Sequence, residues 1–140
     1  MYKKILVAYD FDNTFKNVPQ ELVRLTSGSQ EAEITVFNVI SESELQTSVR
    51  YNDIHFEQLA ESKGKEIQPF IDELEKLDLN VTVKFGTGQI RNTILEEIEE
   101  HDYEIIVMSN KRAKADIKNV LGNVTHKIAN HAHIPVLIIK

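Results

Sequence analysis

The sequence predicts an open α/β fold with a five-stranded parallel sheet and helices on both faces. Five short runs rich in Ile, Val and Leu alternate with segments of helical periodicity, which is typical of parallel strands joined by helical crossovers. The runs are residues 5–9, 34–40, 81–85, 105–108 and 135–139. The chain has 140 residues, of which 41% are hydrophobic and 27% charged. It therefore fits a single domain spanning residues 1–140.

The apolar runs differ in a way that places them within the sheet. The first, fourth and fifth runs are nearly continuously apolar, as expected of strands covered on both faces. The third run, Val81 to Phe85, alternates between apolar and polar residues, which favours an edge strand. We expect the strand order 3-2-1-4-5, in which Asp10 and Ser109-Asn110 end the two strands that flank the order reversal. Ligands of open sheets bind at that point.

Helical periodicity is clearest between the second and third runs. Apolar residues recur at three- and four-residue steps from Phe56 to Leu77 and predict one long amphipathic helix. Gly64 and Pro69 fall inside it, so the sequence allows a kink or a break there. The polar segment from Ser41 to Asn52 lacks such a pattern and is predicted to be a mobile loop.

Three shorter helices complete the alternation. Asn17 can cap a first helix that carries Pro19 near its start. Apolar spacing predicts another helix over residues 90–98, and the last helix is expected to begin just after Gly122. The acidic residues at the C-terminal end of the helix predicted from residue 90 are interpreted as its solvated face: Glu96, Glu97, Glu99 and Glu100.

Composition excludes several classes of function. The net charge of −6 opposes general binding to nucleic acids or to anionic membranes. The absence of cysteine excludes disulfides, thiolate zinc sites and cysteine nucleophiles. No apolar run approaches the ~20 residues of a membrane span, and no signal-peptide pattern opens the chain. We therefore expect a cytoplasmic protein.

The motif Asp10-Phe11-Asp12-Asn13-Thr14 follows the first apolar run. An apolar strand followed by DxDxT is the nucleophile motif of haloacid-dehalogenase-type phosphatases, with Asp10 as nucleophile and Asp12 as acid/base. That chemistry also requires carboxylates that hold a metal ion after a later strand. Residues 109–116 offer no acidic pair leaving the strand. The phosphatase interpretation is therefore disfavoured, and no catalytic residue is assigned.

The histidines do not form a recognisable metal site. His131 and His133 lie close together, but no third ligand is near them in sequence. Cationic side chains near a helix C-terminus are favourable without any metal. His55, His101 and His126 are interpreted as surface residues, and no metal ligand is assigned.

Four stretches of the chain resemble the universal stress protein family. They are Tyr2 to Asp10, Tyr103 to Ser109, Val120 to Ile128, and His133 to Lys140, with the fairly specific ending "LGNV…PVLIIK". The resemblance covers the whole chain in order and spacing. It implies a Rossmann-like fold of the adenine nucleotide alpha hydrolase-like type.

The last strand has a further implication. An apolar strand at a sheet edge exposes unpaired backbone groups. The resemblance implies that the strand from Pro135 to Ile139 pairs with its twin across a two-fold axis, which gives a homodimer.

The nucleotide-binding branch of the family carries Gly, two residues, Gly, nine residues, Gly, then Ser or Thr. The bare backbone of these glycines approaches the phosphates. In this chain the pattern falls on Ser109, Arg112, Gly122 and Asn123, so two glycines and the hydroxyl are replaced. Left-handed strain costs roughly 1–2 kcal/mol and a lost phosphate hydrogen bond ~1.5–3 kcal/mol. Together they would weaken binding by on the order of a thousandfold.

The resemblance assigns roles to five further residues. Asp10 would bind the adenine or ribose end of a nucleotide, Val39 and Met108 would line the base pocket, and Val124 and Thr125 would start the phosphate-side helix. All of them except Val124 also have a structural interpretation. Asp10 can cap the turn into the first helix, Val39 and Met108 can be plain core, and Thr125 can face solvent.

Two interpretations of function stay open. In the first, the protein is non-catalytic, requires no cofactor, binds ATP or AMP weakly or not at all, and acts through unidentified protein partners. In the second, Lys111 and Arg112 replace the missing glycine contacts, aided by the charge of Lys114, and the site senses adenine nucleotides. These basic residues can equally form a solvated loop.

Overall fold

Strands and helices alternate along most of the chain, and two helices follow one another between the second and third strands. The computed structural model describes residues 1–111 and 122–140. Its elements are β1 Lys4–Ala8, α1 Val18–Thr26, β2 Glu33–Ser41, α2 Glu42–Asn52, α3 Phe56–Lys76, β3 Asn80–Gly88, α4 Ile90–Glu100, β4 Ile105–Ser109, α5 Asn123–His131 and β5 Val136–Ile139.

The five strands form one parallel sheet in the order β3-β2-β1-β4-β5. β1 lies at the centre, where Ile5 is paired with Ile34 of β2 on one side and with Ile105 of β4 on the other. The predicted fold class and strand order are confirmed. The order reverses between β1 and β4, so the loops that leave these two strands diverge and leave a crevice between them.

Among the described elements, two helices cover each face of the sheet. Ile5 and Val7 of β1 belong to a core cluster that includes Leu22 of α1 and Ile67 of α3. On the opposite face Leu6 packs in a second cluster with residues of α4 and α5, among them Ile94, Ile98 and Ile128. Successive strand residues therefore bury on both faces, which explains the continuous apolar run of β1. Each fully buried Leu or Ile contributes about 1.5–3 kcal/mol of hydrophobic stabilisation.

The two edges of the sheet are β3 and β5. The alternating pattern of residues 81–85 correctly predicts that β3 is an edge strand. Its residues are exposed or half-buried along the whole strand. In β5, Val136 to Ile138 are half-buried.

The segment predicted to be a mobile loop is the helix α2. Ser41 caps it, because its Oγ accepts a hydrogen bond of 3.2 Å from the backbone N–H of Glu44. Lys63 of α3 forms an ion pair of 2.8 Å with Glu44. Ser48 is the buried residue of α2, so the helix has no apolar stripe that periodicity could detect. The loop prediction was wrong because a cap and an ion pair, rather than a hydrophobic face, position this helix.

Two predictions about helix boundaries are also changed by the structure. α3 continues for 21 residues through Gly64 and Pro69, so neither residue breaks it. Asn17 does precede α1, but its side chain makes no capping hydrogen bond. Its Nδ2 instead donates to the carbonyl oxygen of Lys140 at 2.7 Å. α5 begins directly after Gly122, as predicted.

Among the described helices, none combines the length and apolarity that crossing a membrane requires.

Glu97 contradicts its assignment to a solvated helix face. It is only 6% exposed, and both carboxylate oxygens accept hydrogen bonds of 2.8 Å from Lys84 Nζ. The hydroxyl of Tyr103 donates to the same carboxylate at 2.7 Å. Burial, followed by this hydrogen bond, raises the pKa of Tyr103 to about 12. Glu97 therefore ties α4 to β3 and to the start of β4.

Replacing Glu97 with Ala should lower the free energy of unfolding by about 2 kcal/mol, because Tyr103 and Lys84 lose their shared acceptor. Glu96→Ala is the matched control. It removes an exposed carboxylate from the same helix and should change stability by less than about 0.5 kcal/mol. Urea unfolding followed by circular dichroism measures both. Equal losses in the two variants would contradict the role of Glu97.

Candidate functional site

A cavity of about 210 Å³ lies at the carboxyl ends of β1, β2 and β4. It occupies the crevice where the strand order reverses, which is the usual ligand position in sheets of this class. The first turn of α5 and the first two turns of α4 contribute to its lining. Small-molecule pockets commonly measure about 300–1,000 Å³. The cavity is therefore large enough for part of a ligand, and the remainder would lie outside it.

Most of the residues that the sequence indicated do meet at this cavity. Its lining includes Asp10, Val39, Met108, Gly122, Asn123, Val124 and Thr125. Ser109 is absent from the lining that the structure describes. Arg112 lies outside the described residues. The phosphate side of the predicted site is therefore described only at Ser109 and at the start of α5.

Asp10 organises the loop that follows β1. Its Oδ1 accepts hydrogen bonds from the backbone N–H groups of Asp12 at 2.9 Å and Asn13 at 2.8 Å. The amide Nδ2 of Asn13 donates to both carboxylate oxygens. Asp10 therefore caps the turn of residues 10–13 and lines the cavity at once. α1 starts later, at Val18, so Asp10 does not cap that helix directly.

Burial and these hydrogen bonds shift the pKa of Asp10 in opposite directions. Desolvation is the largest influence and raises the pKa of this carboxyl above its usual value of 3.8, although the bonds from Asn13 and Asp12 pull it down. A desolvated carboxylate that is already paired with amide donors is a strong acceptor for a ligand that can displace or extend those bonds.

An aromatic cluster behind Asp10 holds the loop in place. Tyr9 stacks on Phe15 with a centroid distance of 4.5 Å and contacts Phe70 of α3 at 5.2 Å. Phe11 packs edge-on against Tyr9 at 5.4 Å. The ammonium group of Lys63 lies 4.9 Å from the centre of the Phe11 ring. Rigid aromatic contacts on both sides of Asp10 thus fix the position of its carboxylate.

The apolar wall of the cavity belongs to the second core cluster. Met108 is 4% exposed and Val39 is half-buried, and both pack with Phe37 and Ile94. Val39 and Met108 therefore pack in the core and line the cavity at the same time. Thr125 is buried, so the expectation that it faces solvent was wrong.

Ser109 uses its side chain to join β4 to the loop after β1. Its Oγ donates a hydrogen bond of 2.7 Å to the carbonyl oxygen of Thr14 and accepts one of 3.3 Å from the backbone N–H of Lys111. The residue is 2% exposed. The hydroxyl group at this glycine position of the family pattern is thus committed to an internal contact.

Three asparagine side chains around the cavity carry unpaired oxygens. The Oδ1 atoms of Asn13, Asn38 and Asn110 are buried and have no hydrogen-bond partner among the described residues. All three residues line the cavity. Sequence reasoning missed Asn38, although an Asn inside the apolar run 34–40 was a usable signal. An unsatisfied buried acceptor costs about 1–3 kcal/mol unless water or a ligand supplies a donor.

The orientation of two of these amides is fixed by their other atoms. Nδ2 of Asn38 donates to the carbonyl oxygen of Tyr9 at 2.9 Å, and Nδ2 of Asn13 donates to Asp10. A flipped amide would set oxygen against oxygen in both places, so the free atoms are acceptors. Among the described lining residues, the charged ones are Asp10 and Asp12. The cavity therefore suits a group that donates hydrogen bonds and carries no negative charge.

Metal-dependent chemistry gains no support from this geometry. Within residues 1–111 and 122–140, no group of three His, Cys, Asp or Glu side chains is placed to hold a metal ion. Asp10 and Asp12 lie together at the cavity, but the described residues bring no further carboxylate to its lining.

An open parallel sheet with a cavity at its order reversal defines a Rossmann-like fold. The sequence model of the universal stress protein family matches residues 1–140, and the chain belongs to this family. Universal stress protein YxiE of Bacillus subtilis (strain 168) is 24% identical over 149 residues, with both chains fully covered. The solved structure of the hypothetical protein MJ0577 has a TM-score of 0.80 and 27% identity, covering 100% of this chain and 96% of that one.

Two more distant structures were solved with nucleotides. A universal stress protein in complex with cAMP has a TM-score of 0.64 and 14% identity, and covers 99% of this chain and 96% of its own. A family protein from Arabidopsis thaliana with AMP bound has a TM-score of 0.63 and 17% identity, and covers 99% and 91%. At these identities, the likeness to the present chain is one of fold.

The raised pKa of Asp10 gives a pH dependence that can be measured. Because the folded pKa exceeds the unfolded one, the native state binds the proton more tightly. Its contribution to stability is present below the usual pKa of 3.8 and is lost as pH rises through the folded value. Asp10→Asn keeps an Oδ1 acceptor and never ionises. The variant should therefore gain stability relative to wild type as pH rises from acid to neutral.

Urea unfolding across this pH range measures the difference, with Asp102→Asn, an exposed carboxylate, as the control. A difference between wild type and Asp10→Asn that stays constant with pH would contradict the desolvation of Asp10.

Proposed function

We propose that this universal stress protein is a non-catalytic, homodimeric stress-response protein whose pocket takes the nucleoside end of an adenine nucleotide and binds ATP weakly. A cytoplasmic location, and protein partners that receive the signal, belong to the same proposal. The observation that carries it is the chemistry of the cavity wall. That wall presents carboxylate and amide oxygens together with an apolar surface.

A purine nucleoside matches this wall. The flat base needs an apolar slot, which Val39, Met108 and Ile94 supply. The exocyclic amine of adenine and the ribose hydroxyls are donors, and Asp10 and the asparagine oxygens are acceptors. Binding such a group would satisfy acceptors that otherwise remain unpaired, so the pocket gains from a donor-bearing ligand more than from an apolar one.

A triphosphate fits the same surroundings poorly. Asp12 and Asp10 add negative charge at the cavity, and the family's phosphate-binding glycines are replaced at Ser109 and Arg112. The Ser109 hydroxyl is engaged by Thr14 and so does not face a phosphate. Because the bare backbone that usually receives the phosphates is reduced, we expect the nucleoside to supply most of the binding energy.

The two nucleotide complexes described above support an adenine ligand for this fold. Those proteins bind cAMP and AMP, which share the adenosine part and carry a single phosphate. The nearest alternative, a sensor in which Lys111 and Arg112 replace the glycine contacts, predicts tighter binding of ATP.

The dimer is supported by the position of β5. This strand ends the sheet, and Val136, Leu137 and Ile138 are half-buried within the single chain. Pairing with the same strand of a second copy would satisfy the backbone groups of the edge and cover these side chains.

Isothermal titration calorimetry tests the ligand. Wild type should bind adenosine, and ATP should bind no more tightly than AMP. Asp10→Ala should weaken adenosine binding by about tenfold or more, since a hydrogen bond to a charged group contributes about 1.5–3 kcal/mol. Asp102→Ala is the matched control and should leave the affinity unchanged. ATP incubated with the protein and magnesium should be recovered intact.

Different results would reject parts of this proposal. ATP binding that is tenfold tighter than AMP binding, and that is weakened by Arg112→Ala, would favour the sensor. Magnesium-dependent release of phosphate that Asp10→Asn abolishes would establish an enzyme. An absence of heat with every adenine compound would remove the nucleoside pocket.

Light scattering coupled to gel filtration tests the dimer. The wild-type protein should have twice the mass of one chain. Ile138→Lys places a charge in the half-buried face of β5 and should yield a folded monomer. Tyr51→Lys makes the same kind of change at a residue of α2 that is 73% exposed, and it should leave the dimer intact. A monomeric wild type would rule out the proposed dimer.

A further inference from the structure

We infer that strand β3 and the groove beside it form a docking surface for an extended, basic segment of a partner protein, which would add one more strand to the sheet. The inference gives a place and a chemistry to the protein partners of the proposed function, and it rests on that function only in this respect. The nucleoside pocket lies at the carboxyl ends of β1, β2 and β4, and neither site requires the other.

β3 is the edge of the sheet that the proposed dimer leaves free. Its inner side pairs with β2 without interruption from Asn80 to Gly88. Within the described part of the chain, no strand pairs with its outer side. The proposed dimer forms through β5, at the opposite edge. The backbone N–H and C=O groups along the outer side of β3 are therefore a template for another strand.

The usual protections of an edge strand are few in β3. Such strands are commonly short, bulged, or interrupted by proline or by charged side chains. β3 has nine residues, no proline, and a register with β2 that contains no bulge. Its one charged residue is Lys84, whose ammonium group is bound to Glu97 of α4. β3 is therefore suited to pairing with a further strand.

A groove of about 630 Å³ lies between α3 and β3. Val83 and Phe85 of the strand and Ala60 and Gly64 of the helix contribute to its lining. Val83 and Phe85 pack against the first core cluster but remain half-buried. Because side chains alternate between the two faces of a strand, every second residue of an added strand would point to the α3 side. The groove offers an apolar contact to such a residue.

Gly64 keeps the groove open over Phe85. Glycine inside a helix costs about 1 kcal/mol relative to alanine. A Cβ atom at Gly64 would lie 3.8 Å from the Phe85 ring, which is an ordinary van der Waals contact. A larger side chain would cover the ring and fill the space that an incoming side chain needs. The groove, and not the packing of the single chain, accounts for this glycine.

The charge of the groove selects its occupant. The lining contains the carboxylates of Glu57 and Glu61, one turn apart on α3, and one ammonium group, that of Lys65. The chain as a whole has a net charge of −6. Charge complementarity therefore favours Lys or Arg side chains on the occupant, and a second copy of this acidic chain fits less well. The occupant is an extended segment with apolar and basic residues on the side that faces α3.

Nuclear magnetic resonance titration and amide hydrogen exchange with two synthetic peptides test the inference. The basic peptide repeats Lys-Thr-Val-Thr and the acidic peptide repeats Glu-Thr-Val-Thr, so that Val and the charged residue lie on the same face of an extended strand. The basic peptide should bind about tenfold more tightly than the acidic one. It should slow amide exchange along β3 and leave exchange along β5 unchanged.

Variants of α3 separate the groove from the rest of the helix. Gly64→Leu covers Phe85 and should weaken binding of the basic peptide by about tenfold or more. Ser62→Leu adds the same side chain at an exposed position outside the groove lining and should leave binding unchanged. Glu61→Lys should reduce the preference for the basic peptide, with Glu73→Lys, at an exposed position outside the lining, as its control. All of these variants should keep the circular dichroism spectrum and the adenosine affinity of wild type.

Each failure has a distinct meaning. Equal binding of the two peptides, or binding that Gly64→Leu and Ser62→Leu weaken equally, would overturn the docking surface and leave the nucleoside pocket standing. So would the absence of any peptide binding. Assemblies larger than a dimer that Gly64→Leu abolishes would assign the groove to a second copy of the chain and overturn the partner segment. Binding of the basic peptide by a protein that binds no adenosine would support the docking surface and contradict the nucleoside pocket.

Discussion

The pairing of β1 with both β2 and β4 is the interaction on which the rest of the structure depends. β1 is the strand at which the chain turns from building one half of the sheet to building the other. Its buried residues contact both helical layers. Because the order reverses beside it, the connections from β1 and β4 lead to helices on opposite faces of the sheet, and a crevice remains. The cavity is therefore a consequence of strand order before any side chain is considered.

The side chains at that crevice are polar, although the strands that carry them are buried. Asp10 satisfies the N–H groups of its own turn, whereas the buried oxygens of Asn13, Asn38 and Asn110 have no partners within the part of the chain that the structure describes. A fold that leaves three acceptors unpaired gives up stability at this place. Such a cost is common where a protein receives a ligand, because the ligand supplies the missing donors.

Two hydrogen bonds join the loop after β1 to the end of β4. The backbone N–H of Thr14 donates to the carbonyl oxygen of Lys111, and Ser109 Oγ donates to the carbonyl oxygen of Thr14. Ser109 therefore has a structural role that the glycine pattern alone does not suggest. It replaces a bare backbone contact with a bond that fixes the loop after β1.

Local patterns in the sequence predicted the strands, the long helix α3 and the start of α5, because apolar spacing and Gly122 act over a few neighbouring residues. α2 was not predicted because a polar helix has no apolar period, although Ser41 with Glu44 three residues later is a recognisable capping pair. Glu97 was misassigned because its helix position resembles that of its exposed neighbours. Only Lys84 and Tyr103, which reach it from other elements, make it a buried residue.

The sequence by itself determined the order of elements, the parallel sheet and most of the residues that surround the pocket. Tertiary structure decided which polar atoms are paired and which remain free. Ser109 bonds to a residue 95 positions away, and Asn17 bonds to one 123 positions away. A hydrogen bond between such remote groups forms only if their donor–acceptor distance is correct to within a few tenths of an ångström. Residue type and spacing constrain those distances only after the whole sheet has formed.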